Sequence, residues 1–368
     1  MNKTTWKRVK LGEVAEINPL ESIKKNTLAK KVSMDNLEPF NKKIYSFSME
    51  SFKGGSKFKN GDTLLARITP CLENGKTAFV DFLENNEIAF GSTEFIILRE
   101  KENISDKHFL YYLARSENFR ETAIKSMTGS SGRERVQIEV IRDYEFSLPP
   151  LETQHKIAEI LSSLDDKIGL LHRQNKTLES LSLTLFRHTF IDNLKRNEWE
   201  IGKLGDYIEI KSGKPLKREF FVENGAYEIL GANGIIGRTN QFLCDERLIY
   251  TGRVGTLGKI FLINSPQKVW LSDNTLIVKP KKHFYFIYFL LKELKLENFN
   301  VGSTQPLIRQ SDIANIEILI PDSNLVLMFE NICINIFNKI SHNMKEIQSL
   351  ESLRDIMLPK LLSGEMEV

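Results

Sequence analysis

The chain contains an internal repeat, and this repeat limits the folds that it can adopt. Residues 6–17 read WKRVKLGEVAEI, and residues 199–210 read WEIGKLGDYIEI. Each copy opens a long segment that closes on an alternating, strand-like stretch, a proline and a long helical pattern. The period is far longer than that of a solenoid repeat. The sequence therefore predicts a duplicated module, in which a globular part is followed by a helix.

The two copies can be aligned at both ends. Trp6 and Trp199 are 193 residues apart, whereas Pro149 and Pro321, which end the strand-like stretches, are 172 apart. The variable part of the second copy is therefore shorter by 21 residues (193 − 172). Apolar or alternating runs between turn residues predict strands at 62–68, 77–82, 93–98, 226–230, 247–251, 258–263 and 275–279.

The predicted fold class is α+β. Two similar mixed α/β domains are expected at 1–150 and 193–321, with long helices at 151–192 and 322–368; shorter helices are expected within the domains, at 106–125 and 283–296. A lone helix with an apolar stripe would expose that stripe to water, so the two long helices are expected to pack together. A duplication relates the copies by a rough two-fold axis. The sequence therefore predicts an antiparallel coiled coil that separates the two domains.

Both long helices carry apolar residues at alternating spacings of four and three, which is typical of a coiled-coil seam. About 40 residues of helix would span roughly 60 Å. We predict that the seam contains Ile157, Leu161, Leu164, Ile168, Asn175, Leu178, Ile336, Ile340, Asn343, Ile347 and Leu350.

Two asparagines interrupt this seam, Asn175 in the first helix and Asn343 in the second. An antiparallel pair places them opposite each other when the two-fold axis passes near the helix midpoint. One interpretation is that the two amides face each other and help to set the register, since a polar seam residue specifies register at some cost in stability. The other is that each amide points to solvent at the edge of the seam.

Basic residues are clustered, although the net charge of +3 does not by itself indicate a DNA-binding protein. Nine lysines lie between Lys24 and Lys59 against three acidic residues, and Lys211, Lys214 and Lys217 lie just after the second opening. A solvated surface explains either cluster alone at least as well as phosphate contact. One cluster in each half modestly favours phosphate contact.

Segments 61–76 and 250–259 are suited to close approach of the backbone to a ligand. Each has a strand, an arginine, a loop of Gly, Asn or Pro, and a lysine that enters the next strand. Arginine can donate two parallel hydrogen bonds to guanine or phosphate, and glycine lets a loop lie close to a groove. Either segment alone is explained by an ordinary charged hairpin, but the matched pair favours binding.

A third matched pair, 129–135 and 301–307, has hydroxyls, arginines and a glutamine that suit phosphate or base contacts, or alternatively a capping turn before the last strand. A molecule built as two similar halves suits DNA with two half-sites. The candidate DNA contacts are Arg67, Thr69, Asn74, Lys76, Ser130, Ser131, Arg133, Lys211, Lys214, Lys217, Arg253, Thr256, Lys259, Ser303, Thr304 and Gln305.

Signatures of catalysis are not evident in the sequence. Residues 129–133 do not fit a phosphate-binding P-loop, and residues 231–237 do not fit the dinucleotide-binding glycine pattern. The only Pro-Pro pair, in 148–151, lacks the Asn/Asp and Tyr/Phe partners of the adenine methyltransferase tetrad. We therefore expect a binding protein that is not an enzyme and has no metal or cofactor of its own.

Composition is that of an ordinary globular protein. A chain of 368 residues predicts two to four domains. The sequence contains no run of about 18 apolar residues, so no membrane span is expected. The three cysteines are odd in number and far apart, which favours a reducing cytoplasm over a disulfide framework or zinc site.

The repeat and several motifs together make the chain resemble the specificity (S) subunit of type I restriction–modification systems. The resemblance covers essentially the whole chain. The motifs are the two tryptophan-led openings, RITPCLENGK at 67–76, FGSTEF at 90–95, GRVGTLGK at 252–259, GSTQP at 302–306 and LRDIMLPKLLSGE at 353–365. One departure is GSSGR at 129–133, where the second half has GSTQP.

The resemblance implies that each globular part is a target recognition domain that reads one half of a bipartite, asymmetric sequence in double-stranded DNA. It implies that the helical pair fixes the gap between the halves and docks two modification (M) subunits. Those subunits would bind S-adenosylmethionine and methylate adenine. A restriction (R) subunit would add ATP-dependent translocation and cleavage, with Mg also expected in the partner subunits.

Two alternatives stay open. The chain could be the specificity component of a methylation-only or fused type IIB/IIG-like system, which neighbouring genes would reveal. It could also be a defence scaffold that binds protein and no DNA, which the salt dependence of DNA binding would test.

Overall fold

A computed structural model of the protein describes residues 6–302 and 305–368. The chain forms two compact units: unit 1 takes the described residues up to His172 and those from Glu346 onward, and unit 2 takes the described part of Arg173–Lys345. Each unit therefore contains one globular part and a portion of both long helices. The domain boundaries predicted above, which separate helices from globular parts, stay a prediction.

The strands of unit 1 are β1 (Lys7–Lys10), β2 (Ala15–Ile17), β3 (Leu28–Val32), β4 (Ser48–Ser51), β5 (Ser56–Phe58), β6 (Thr63–Ala66), β7 (Thr77–Phe79), β8 (Ala89–Gly91), β9 (Phe95–Glu100) and β10 (Glu145–Leu148). Those of unit 2 are β11 (Glu200–Lys203), β12 (Ile208–Ser212), β13 (Tyr227–Gly231), β14 (Gly234–Thr239), β15 (Cys244–Asp245), β16 (Leu248–Gly252), β17 (Ile260–Ile263), β18 (Lys268–Leu271), β19 (Thr275–Pro280) and β20 (Glu317–Ile320). The α-helices are α1 (Leu11–Val14), α2 (Lys107–Arg115), α3 (Glu117–Lys125), α4 (Ile138–Arg142), α5 (Leu151–Phe186), α6 (Leu204–Tyr207), α7 (Phe284–Glu293), α8 (Gln310–Ala314) and α9 (Ser323–Ser363).

The two units have the same sheet topology. An antiparallel sheet of order β2-β9-β6-β7 in unit 1 corresponds to β12-β19-β16-β17 in unit 2. A second sheet, β4-β3-β8-β5, corresponds to β14-β13-β18-β15, and each contains one parallel pair, β3 with β8 and β13 with β18. Two-stranded ribbons, β1-β10 and β11-β20, complete the match. The predicted α+β class and the internal repeat are confirmed.

Strand β6 shows how the layers of unit 1 are arranged. Successive side chains of a strand point to opposite faces. Leu65 accordingly lies in the core that contains helix α2, and Leu64 lies in the core that contains Val32 and Phe58 of the second sheet. In unit 2, Ile249 likewise lies in the core that contains helix α7, and Leu248 lies in the core that contains residues of the second sheet. Each globular part is therefore a helix layer, a central sheet and a second sheet.

One predicted helix is wrong as a single element. Residues 106–125 form two helices, α2 and α3, because the backbone of Ser116 is extended (φ −61°, ψ 148°). The Ser116 hydroxyl donates to the carbonyl of Leu113 at 2.7 Å and so satisfies an end of α2. A side chain that bonds to nearby backbone competes with helix continuation.

Helices α5 and α9 pack in antiparallel fashion, as predicted. In unit 1, Lys167 pairs with Glu346 at 3.2 Å, and Asp165 pairs with Arg354 at 2.6 Å. Residue numbers thus fall along α9 as they rise along α5. Seam residues Ile168, Ile347 and Leu350 form one apolar cluster with Leu171, and Ile157 and Leu161 share a buried core with Leu358 and Leu361.

The row of buried residues departs from the predicted seam at several positions. Leu164, Leu178 and Ile336 are only half-buried, whereas Phe337 is buried. For Ile336 and Phe337 the reason is that α9 packs against two neighbours. The ring of Phe337 stacks on Tyr285 of α7 at 4.8 Å, and this contact shifts the buried face by one residue.

The two seam asparagines, both in unit 2, hydrogen-bond to each other. Asn343 Nδ2 donates to Asn175 Oδ1 and to Gln174 Oε1, each at 2.8 Å. Both asparagines are buried. The first of the two interpretations therefore describes their geometry, and their role in setting the register stays a prediction.

Candidate nucleic-acid interface

In unit 1 the structure brings together two of the segments singled out in the sequence, the one starting at Arg67 and the one ending at Arg135. The backbone amide of Thr69 donates to the carbonyl of Glu134 at 3.0 Å, and the amide of Val136 donates to the carbonyl of Arg67 at 2.9 Å. Ile68 and Arg135 form an isolated antiparallel bridge. These segments, distant in sequence, therefore form one continuous surface.

Unit 2 builds the same surface from the matching segments. The amide of Gly255 donates to the carbonyl of Pro306 at 3.0 Å, and that of Ile308 donates to the carbonyl of Arg253 at 3.0 Å. Val254 and Leu307 form the isolated bridge that corresponds to the one in unit 1. The duplication therefore extends to the backbone contacts of the candidate site.

A third segment supports the key arginine in each unit. The amide of Arg67 donates to the carbonyl of Glu94 at 2.8 Å, and the amide of Arg253 donates to the carbonyl of Asn274 at 2.7 Å. Both arginine side chains are half-buried, and Arg67 Nε donates to the carbonyl of Val136 at 3.2 Å. Within the described residues, Arg253 Nε is buried without an acceptor. Partial burial limits the positions that each guanidinium can take.

The remaining candidates of the 67–76 loop differ in how accessible they are. Asn74 is exposed at the turn. The hydroxyl of Thr69 lies 3.2 Å from the sulfur of Met127. Lys76 Nζ donates to the carbonyl of Met34 at 2.9 Å, and the side chain is only 17% exposed. Lys76 therefore joins the loop to the segment after β3.

At the neighbouring turn, Ser130, Ser131 and Arg133 are exposed. Beside them is an ion pair that the sequence analysis missed: Arg135 donates to Glu94 through Nη2 at 2.7 Å and through Nε at 3.0 Å. The Glu94 carboxylate raises the pKa of Arg135. Glu94 lies in the FGSTEF motif and Arg135 in the segment 129–135, but a contact between residues this far apart in sequence is set by the fold.

In unit 2, Lys211, Lys214 and Lys217 are exposed. Lys211 lies 3.6 Å from Glu209, and Lys217 lies 3.6 Å from Glu219. Such exposed pairs are weak, so a phosphate can compete for these lysines.

The other candidates of unit 2 lie around the same surface. Thr256, Lys259 and Gln305 are exposed, and Gln305 Nε2 lies close to Gly255. Ser303 and Thr304 lie outside the described residues.

The hypothesis of a phosphate-binding patch between Lys24 and Lys59 is wrong for Lys42. Lys42 is buried, and Nζ donates to Ser162 Oγ at 2.7 Å. Burial lowers its pKa to about 8. Lys30, Lys31 and Lys43 instead form ion pairs within unit 1. A local count of lysines cannot reveal which carboxylates the fold places beside them.

Sequence reasoning also missed the segment that follows β3 and β13. In unit 1 the amide of Phe40 donates to the carbonyl of Gly75 at 3.0 Å. In unit 2, Lys259 Nζ donates to Asn233 Oδ1 at the tip of the β13–β14 hairpin. Each candidate loop thus has a neighbour from the second sheet. The signal was the Gly231–Gly234 turn, which the sequence analysis considered only as a dinucleotide motif.

Among residues 6–302 and 305–368, no helix is long and apolar enough to cross a membrane. The same residues contain no group of three or more His, Cys, Asp or Glu side chains placed to hold a metal ion.

Comparisons with known proteins agree with the repeat. The family described as the type I restriction modification DNA specificity domain matches residues 3–180 and again residues 196–325. The specificity subunit of the type I restriction enzyme MjaIX of Methanocaldococcus jannaschii is 31% identical over 303 residues, 71% of this chain and 69% of that protein. The HindI specificity subunit of Haemophilus influenzae is 23% identical over 98% of this chain and 99% of that protein.

A solved structure supports the fold. The type I restriction–modification S subunit from M. genitalium superposes with a TM-score of 0.58 at 20% identity, covering 97% of this chain and 96% of that chain. Two family matches, one per repeat, and a relative of this identity and coverage settle the assignment: the chain belongs to the type I restriction–modification DNA specificity family.

Proposed function

We propose that this chain is the subunit that recognises the DNA sequence for a type I restriction–modification complex, with each unit reading one half of a bipartite target. One observation carries the proposal: the same three-segment surface is built twice, with different side chains at matching positions. Arg133 and Gln305, for example, correspond at the offset of 172 residues. Arginine suits guanine and glutamine suits adenine in the major groove. Two similar surfaces with different chemistry suit an asymmetric target.

The paired helices, in this proposal, fix the unspecified gap and dock two M subunits, and R subunits join the full complex. Exposed apolar side chains on α9 support a docking role. Leu327, Met328 and Ile332 of unit 2 are 49%, 65% and 43% exposed, and Leu353 and Ile356 of unit 1 are 45% and 58% exposed. Clustered exposed apolar residues mark interaction surfaces.

Catalysis would belong to the partner subunits. We propose that S-adenosylmethionine, ATP and Mg act there and that this chain contributes recognition, in the cytoplasm. Its candidate surface offers donors and acceptors for bases and phosphates.

Binding of randomised duplexes by the complex with its M subunits tests the proposal. Arg67→Ala should relax specificity in one half of the selected sequence, and Arg253→Ala in the other. Each change should cost about 1–3 kcal/mol of base discrimination. Equal effects of either change on both halves would contradict the assignment of one half-site to each unit.

Salt dependence separates this function from the protein-binding scaffold. Phosphate contacts release counterions, so the affinity for DNA should fall steeply as salt is raised. The absence of DNA binding even at low salt would favour the scaffold, which binds protein and no DNA.

A further inference from the structure

Strand β14 of unit 2 is an edge strand that presents apolar side chains to water. Ile235 is 63% exposed and Ile236 is 51% exposed. Sheet edges are normally protected by charge, proline, bulges or covering segments. The β13–β14 pairing has a bulge between Ile229 and Leu230, and Val222 covers β14 at Arg238, so the two isoleucines are the apolar part of this edge that stays exposed.

Neighbouring residues extend this surface. Phe220, Phe221 and Val222 are 37%, 39% and 39% exposed. The amide of Val222 donates to the carbonyl of Arg238 in β14 at 2.9 Å, which fixes this segment against the strand. We call Phe220, Phe221, Val222, Ile235 and Ile236 the hairpin patch.

The hairpin patch is continuous with the candidate DNA surface of unit 2. At the tip of the hairpin, Asn233 Oδ1 accepts from Lys259 Nζ. Ala232 lies so close to Gly252 that a Cβ added at Gly252 would be 3.0 Å from the Ala232 Cβ. The tip therefore contacts both ends of the loop that carries Arg253.

The surrounding charge favours DNA as the occupant. Lys259 lies at the tip, and exposed Lys217 and Arg218 precede the patch. Glu219 separates them from Phe220 and lies 3.6 Å from Lys217, an exposed and therefore weak pair. The backbone carbonyls of the two basic residues accept from the amides of Phe220 and Phe221, both at 3.0 Å, so the basic pair is held beside the patch. Basic side chains next to an apolar patch match a duplex, where phosphates flank the groove.

The chemistry of the major groove selects one target for the isoleucines. The C5-methyl group of thymine is the apolar feature that base pairs present there. Ile236 leans back on its own hairpin, since its Cγ2 lies 2.8 Å from a Cβ built on Gly231. Ile235 is the more exposed of the two.

We propose that the β13–β14 hairpin is a base-reading element of unit 2 and that Ile235 contacts a thymine methyl group. This inference rests on the proposed function and adds a residue to it. Unit 1 has no equivalent two-residue tip among its described residues, because residues 33–47 connect β3 to β4. The contact is therefore specific to one half-site.

Replacing thymine by deoxyuridine removes only the methyl group, so it tests this contact directly. The probe is the cognate duplex with each thymine of the unit 2 half-site replaced in turn, on both strands, and the protein is the complex with its M subunits. The wild-type complex should lose about fourfold in affinity at one position. The Ile235→Ala complex should bind the thymine and deoxyuridine duplexes equally at that position.

Ile201→Ala is the matched control, since Ile201 lies on β11 of the same unit and is 69% exposed. It should keep the wild-type preference for thymine. The proposal is overturned if no replacement weakens wild-type binding, or if Ile235→Ala keeps the preference. Failure of the proposed function is a different result, in which the wild-type complex does not distinguish cognate from scrambled unmodified duplexes.

Discussion

The two units attach their globular parts to the long helices with different chemistry. In unit 1 the buried carboxylate of Asp165 accepts from Arg354 Nη1 at 2.6 Å and from the hydroxyl of Tyr112 at 2.7 Å. Lys42 is buried nearby, and Asp165 stabilises its charged form. This junction is a network of ions and polar groups.

Matching positions in unit 2 are apolar or neutral. At the offset of 172 residues, Phe337 corresponds to Asp165, and Ser182 corresponds to Arg354. Phe186, Phe289 and Phe329 surround this region with ring centroids 5.6–5.9 Å apart. One backbone arrangement thus contains an ion network in unit 1 and mainly aromatic packing in unit 2, where the buried carboxylate of Glu330 accepts from the amide of Phe286 at 2.7 Å.

The two copies therefore share a backbone geometry but are stabilised by different interactions. A buried ion pair adds little net stability, since desolvation opposes the attraction, but losing one partner is strongly destabilising. Aromatic packing depends weakly on pH and salt. We therefore expect the two units to respond differently to charge, pH and ring substitutions.

The largest effect should come from Arg354→Met, which leaves the Asp165 carboxylate buried without its cation. Unit 1 should lose about 3–5 kcal/mol of unfolding free energy, while unit 2 is unchanged. Hydrogen exchange of the two units under denaturant measures this. The double variant Asp165→Leu, Arg354→Met should lose much less. Equal loss in single and double variants would show that the ion pair is not the reason.

Raising the pH should stabilise unit 1 through Lys42. The folded-state pKa of about 8 lies below the usual 10.5, so between these values the unfolded chain binds more protons. The Lys42 contribution to stability should therefore rise by about 2 kcal/mol from pH 8 to pH 10. Denaturation of wild type and Lys42→Met at both pH values isolates this contribution. If the stability of wild type and of Lys42→Met rises equally with pH, Lys42 is not the source of the pH dependence.

The reading surfaces should show a similar independence. Arg133→Gln gives unit 1 the side chain that unit 2 carries at Gln305. At one base pair of one half-site, preference should move from guanine toward adenine, by about 1–3 kcal/mol. Selection from a randomised duplex library checks this. A shift in both half-sites would contradict separate reading.

Phe337→Leu should have the smallest effect. It keeps an apolar side chain at the junction, so unit 2 should lose less than about 1.5 kcal/mol. The loss should be the same at low and high salt, because no charge is involved. A strong salt dependence of this loss, measured by denaturation, would contradict packing without charge around Phe337.

The sequence predicted features that depend on periodic patterns. Matching openings predicted the repeat, and the spacing of apolar residues predicted the antiparallel helices. It did not predict β4, whose four residues are all exposed and carry no apolar alternation. The predicted seam contains Ile336 instead of Phe337, because helical spacing alone does not show that the aromatic rings of α7 pack against α9. The ion pair of Glu94 and Arg135 forms only when segments that are distant in sequence come together in the fold. No local sequence pattern reveals such a contact.

Methylome sequencing of a strain that carries this gene with its M partner tests the central claim most directly. The account predicts methylation at a bipartite motif with an unspecified gap, and exchange of residues 1–150 for those of a relative should change one half of the motif only. An uninterrupted motif, or a change in both halves after the exchange, would contradict a chain in which each unit reads its own half-site.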